Sequence, residues 1–289
     1  MAIVLALACA LVYGAADFLG GVAARRVSAL AVVVWSQAVG LVVLVPALLI
    51  LGGSPRPVDL AIGAACGVAG GFAVALLYRG LAIGTMGVVS PITAVLAAAV
   101  PVAYAIARGE RPAPLAIAGI ACALAAVVLV SAATPKPTEA EQDAPIARPR
   151  RRHRFPPGIP EAIGAGTAFG FLFIGLAATS AQAGFFPMLA MRVMSLGLIV
   201  GGALVLRQSL HVARPTFRTI AWAGALDMSA NVLFIVAAHN GPLAIVAVLT
   251  SLYPAGTVAL AAFALRERLV AVQWVGVVLA FAGVICIAL

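Results

Sequence analysis

Residues 84–130 and residues 241–287 carry one pattern at a constant offset of 157 positions. The offset lays Gly84 on Gly241, Val89 on Val246, Thr93 on Thr250, Ala98 on Ala255, Glu110 on Glu267, Arg111 on Arg268, Gly119 on Gly276 and Ala125 on Ala282. Carried upstream, it lays Gly67 on Gly224 and Leu76 on Leu233. A Glu-Arg pair held at one ungapped offset, over about 60 residues otherwise rich in Ala, Val and Leu, marks a tandem duplication rather than a shared composition.

The content of the repeated stretch sets the class. In each copy an apolar run of more than twenty residues ends in a short charged corner, Arg108 to Arg111 or Arg266 to Arg268, and a second apolar run follows. A hydrocarbon core about 30 Å thick needs roughly 20 apolar residues at 1.5 Å rise each, so each copy reads as a transmembrane hairpin. The whole chain agrees: it is 64% hydrophobic and 9% charged. Its mean hydropathy of +1.16 is too high for a soluble core to hide. Alternation of period two is absent, which excludes a barrel and leaves helices.

Taken in order, the spans are expected at 2–24, 29–51, 59–78, 82–107 and 112–132, then at 161–180, 184–206, 219–238, 242–265 and 270–289. The first is not a secretory signal, because no basic residue precedes Arg25 and Asp17 interrupts the run. Ala10, Gly14, Asp17 and Gly21 share one of its faces, which must meet protein rather than lipid. Gly63, Gly67, Gly70 and Gly71 form a close-packing stripe on the third span. Pro91 and Pro101 are expected to kink or unwind the fourth. Between the halves, residues 133–160 are proline-rich, acidic and then basic, and read as a disordered aqueous linker. The basic run from Arg148 to Arg154 suits anionic lipid headgroups or simple orientation in the membrane better than a nucleic acid. The expected organisation is therefore an all-α membrane protein of ten spans, a first five-helix repeat at 1–132 and a second at 161–289. An odd number of spans per repeat places the two copies upside down relative to one another, around a site near the midplane.

These residues resemble a known family. YGAADFLGG from Tyr13 to Gly21, Arg192 in the seventh span, the Ser90-Pro91 region, and Glu110 and Glu267 each followed by an apolar helix look like an EamA-type member of the drug/metabolite transporter superfamily. The resemblance implies a ten-helix secondary transporter with a central cavity, driven by an ion gradient and exporting small organic metabolites or drugs. It also implies a cell (inner) membrane location and termini on the cytoplasmic side. Where the second half has Arg192, the first half departs, with Trp35-Ser36-Gln37 in its second span.

Asp17, Arg192 and Asp227 are the charged groups placed deep in spans, where such residues face a cavity or one another. The functional reading gives Asp17 or Asp227 the coupling proton and gives Arg192, or an aromatic group, the substrate. The structural alternative is a fixed internal pair of Arg192 with one of the aspartates. Tyr13, Trp35, Tyr78, Asn231 and Tyr253 complete the candidate substrate site, against the alternative that they pack, anchor or join a hydrogen-bonded network. His239 reads as a capping or interfacial residue, and Glu110 and Glu267 as partners of neighbouring arginines. No phosphate loop, HExxH or GxSxG occurs, so enzymatic and ATP-driven readings find no motif. Cys9, Cys66, Cys122 and Cys286 lie singly in spans, without metal-binding or disulfide spacing, and no cofactor is expected. Besides solute export, a lipid or lipid-linked-sugar flippase and a non-transporting membrane partner fit the same pattern. Orientation is disputed between two rules. The loops after odd-numbered spans hold 14 of the 18 lysines and arginines against three in the even loops, and the positive-inside rule then puts the termini outside.

Overall fold

The first three helix starts of the first half return 157 residues later. In the computed structural model, which describes residues 1–289 apart from 55, 85, 132–156, 206, 254, 255, 257–270 and 289, the helices are α1 (Ala2–Ala24), α2 (Ala29–Leu51), α3 (Pro57–Ile83), α4 (Met86–Ala107), α5 (Pro114–Ser131), α6 (Ile159–Ala178), α7 (Phe186–Val205), α8 (Arg214–His239), α9 (Leu243–Thr250) and α10 (Ala271–Ala288). Ala2 pairs with Ile159, Ala29 with Phe186 and Pro57 with Arg214. The chemistry of these starts is local. Ser28 Oγ accepts from Ala31 N at 3.2 Å at the head of α2, and prolines occupy the first turns of α3, α6 and α8, where no intrahelical donor is needed. No strand occurs among the described residues. Six helices, α1, α2, α3, α6, α7 and α8, are long and apolar enough to cross a membrane; shorter apolar helices stand at Ile92–Ala107 and Pro114–Ala126.

The packing repeats as well. α1 lies along α8, and its counterpart α6 lies along α3. The contact of α3 with α7 is mirrored by α8 with α2, and that of α4 with α6 by α9 with α1, while α5 packs on its own counterpart α10. Each half is thus built largely against the other. The glycine stripe of α3 explains one such contact. A side chain on Gly63 would strike the Pro187 carbonyl, and one on Gly67 the Met191 carbonyl of α7. On the mirrored contact, a side chain on Gly224 of α8 would strike the Ser36 carbonyl of α2. In lipid, where burial supplies little drive between helices, such backbone approach is what holds them together.

Turns of opposite halves lock at one end of the bundle. Ser54 N donates to the Gln182 carbonyl at 2.9 Å, and Asp59 accepts from Ser180 N at 2.8 Å and from Arg56 Nε at 3.2 Å. Gly53, with φ of 142°, lies so close to the Ala183 carbonyl that a Cβ would come within 2.8 Å of it. Gly184 adopts φ of 55° against Gly52, so only glycine fits both turns comfortably.

Two expectations are corrected. α4 is helical from Met86 to Ala107, so it is not unwound at Pro91 or Pro101, whereas α9 ends at Thr250 and gives way to a turn at Ser251 and Leu252. The ladder tightens at this point: Ser251 N still donates to the Ala247 carbonyl at 2.9 Å, whereas Leu252 N donates to the Leu249 carbonyl at 3.2 Å. Glu110 pairs with no arginine among the described residues; its two carboxylate oxygens accept from Leu243 N at 3.3 Å and Ala244 N at 3.4 Å. The unsatisfied amides at the head of α9 attract the carboxylate more than an exposed arginine does. Glu267, Arg266, Arg268, and the run from Arg148 to Arg154 lie outside the described residues.

Candidate functional site

α1, α3, α6, α7 and α8 converge on a polar centre in an otherwise apolar bundle. Arg192 of α7 is held at both ends of its guanidinium, one terminal nitrogen donating to Gln37 Oε1 of α2 and the other to Asp227 Oδ2 of α8. Its side chain is 3% exposed and that of Asp227 is 21%. Asn231, one turn beyond Asp227, donates to the Asp227 carbonyl at 2.7 Å and approaches its carboxylate at 3.5 Å. A buried charge pair holds only when its remaining hydrogen-bonding capacity is met, and Gln37 and Asn231 do part of that work.

The cavity beside this pair has two adjoining parts. One takes Gln37, Arg192, Ser195, Asp227 and Asn231 into its walls. The other takes Asp17, Tyr78, Phe173, Asp227 and Tyr253. Tyr13, Val74, Phe169 and Asp227 belong to both. Tyr13 and Asp17 reach it from one face of α1, four residues apart. The aromatic wall is continuous: Tyr13 stands edge-on to Tyr253 with centroids 6.4 Å apart, and Phe173 stacks on Phe234 at 4.3 Å. The Tyr78 ring lies over Gly20 of α1, where any side chain would collide with it. No salt bridge to Asp17 occurs among the described residues, so it is the carboxylate of the cavity without a cationic partner.

Of the residues singled out from sequence, Tyr13, Asp17, Tyr78, Arg192, Asp227, Asn231 and Tyr253 line this cavity. Trp35 does not. It is 37% exposed, donates from Nε1 to the Leu210 carbonyl at 2.9 Å, and stands edge-on to Phe217 at 5.4 Å. Trp35 and Gln37 are two positions apart on α2, about 200° around a helix, so the turn that brings Gln37 inward carries Trp35 outward. Gln37 and Ser195 were not singled out. The signal for each was a polar side chain inside an apolar span, and for Ser195 also its place three residues from Arg192 on one face. His239 lies at an interface, with Nε2 2.8 Å from the Thr179 carbonyl at the end of α6.

The repeat makes the cavity chemically lopsided. Under the 157 offset Asp227 falls on Gly70, Asn231 on Val74, Arg192 on Trp35, Tyr253 on Leu96, Tyr13 on Gly170, Asp17 on Ile174 and Tyr78 on Ile235. Each cavity-lining polar residue in this set therefore has an apolar or glycine counterpart, and two similar halves enclose one polar site.

The model of the EamA-like transporter family matches residues 1–132 and 156–289. No curated protein matches the chain. Eighteen solved chains match it in fold. One of them, a crystal structure of a protein 15% identical, superposes with a TM-score of 0.75 over 99% of this chain and 95% of that one.

Proposed function

Since the chain belongs to the EamA-like transporter family and is a multi-pass membrane protein, we propose that it is a secondary transporter that exports a small organic metabolite or drug by alternating access. In this reading ten spans form two five-helix repeats of opposite orientation, at 1–132 and 161–289, and the linker between them lies in water. Exchange of the two halves' conformations then opens the cavity to one side of the membrane and to the other. The carrying observation is the charged cluster in a cavity walled by both halves: Asp17 without a cationic partner among the described residues, and Asp227 held by Arg192.

Asp17 takes up and releases the coupling proton, because protonating it breaks no existing pair. Asp227 shares in the coupling through its pair with Arg192. The aromatic wall and Asn231 supply contact area and orientation. The protein sits in the cell (inner) membrane. Asp17→Asn and Asp227→Asn are each expected to abolish solute movement driven by a pH gradient in proteoliposomes while the protein still inserts and purifies. Full transport in both variants would remove the coupling role. A reporter enzyme fused to the carboxyl terminus decides between the two orientations.

A further inference from the structure

Arg192 has more donors than its protein partners use. Its terminal nitrogens serve Gln37 and Asp227, while Nε is buried without an acceptor. One turn along α7 the Ser195 hydroxyl, 2% exposed, is also without a partner. Helical serines ordinarily return the hydroxyl to a carbonyl of the preceding turn, as Ser229 does to Ala225 at 2.9 Å. Ser195 does not, and both side chains line the same part of the cavity. Two buried donors three residues apart on one helix face, in the wall of the same hollow and each unfavourable when unmet, ask for an acceptor there.

The charge balance says which acceptor. Arg192 and Asp227 already cancel, and Asp17 stands in the adjoining part of the cavity. A carboxylate placed on Arg192 Nε would leave an uncompensated charge among apolar walls, whereas a carbonyl or amide oxygen brings none. We propose that Arg192 Nε and Ser195 Oγ form a subsite for a neutral carbonyl or amide oxygen of the transported solute, an assignment that rests on the transporter reading above. Val74, Leu172 and Met191 around it suit a small apolar group next to that oxygen.

Nicotinamide, nicotinate and 3-methylpyridine share one ring and differ at this function, and serve as probes. Their binding is measured by calorimetry on the purified full-length protein, on Ser195→Ala, and on Ser195→Cys, which keeps the bulk but donates weakly. Nicotinamide is expected to bind the unaltered protein most tightly. Ser195→Ala should lose roughly three- to tenfold of that affinity, with 3-methylpyridine unaffected and Ser195→Cys in between. The proposal is overturned if nicotinate binds as well as nicotinamide, if the three probes bind alike or none binds, or if neither variant changes nicotinamide affinity. Solute transport in proteoliposomes is assayed in parallel. Amide preference without transport keeps the subsite and rejects the transporter reading; transport without amide preference rejects the subsite alone.

Discussion

At the residue scale, two kinds of polar side chain behave differently here. Arg192, Asp17 and Asp227 were legible because a charge inside an apolar span stands out, and the cost of exposing it to lipid leaves only the interior. Gln37 was not, because a lone amide in a span carries no such penalty and its value depends on what it meets. What it meets is Arg192. Gln37→Leu leaves a buried donor of the guanidinium unmet and is expected to cost about 1–3 kcal/mol, read as a lower midpoint of thermal unfolding in detergent. Removing the acid itself is worse. Asp227→Ala leaves Arg192 as an uncompensated buried charge, and about 3–5 kcal/mol should be lost. Asp227→Asn retains an acceptor oxygen and should lose less in the same melt.

At the element scale, α1, α2, α5, α6 and α7 lie within two residues of the spans read from hydropathy, and α3 and α8 within five, while most of 251–265 in the ninth span lies outside the described residues. Break points were less legible. Pro91 and Pro101 pointed to α4, yet the described helix that stops short is α9, at Thr250. Which small residues matter is also decided by contact. Gly67 and Gly224 each face a backbone carbonyl of another helix, whereas Gly197 has nothing within 4 Å. Gly67→Ala and Gly224→Ala should each destabilise by about 1–3 kcal/mol through overpacking. Gly197→Ala should stabilise by about 0.5–1 kcal/mol, since only helix propensity changes. Thermal melts of the three variants side by side would test the contrast. Glu110 acts as an element-level cap across the halves, and Glu110→Ala should cost about 1 kcal/mol by the same measurement.

At the scale of the whole molecule, the two halves are interleaved rather than side by side. α1 packs on α8 and α3 on α6 and α7, so a half produced alone would present its glycine-lined faces to lipid without a partner. Residues 1–132 and residues 157–289 expressed separately are each expected to be degraded or to aggregate. Co-expressed, they should purify together as a complex, checked by affinity capture through a tag on one half. Stable, monodisperse halves would show that the interface is dispensable. The offset of 157 and the apolar runs determined, by themselves, that this chain is helical, membrane-embedded and built twice over. Those are properties of hydropathy and periodicity along one strand of chain. That Arg192 engages Asp227 and Gln37, that Asp17 stands without a cationic partner among the described residues, and that Trp35 turns outward were decided only by how the helices pack. A sequence gives the face on which a side chain sits; which helix lies opposite that face depends on close backbone approach between elements far apart in the chain.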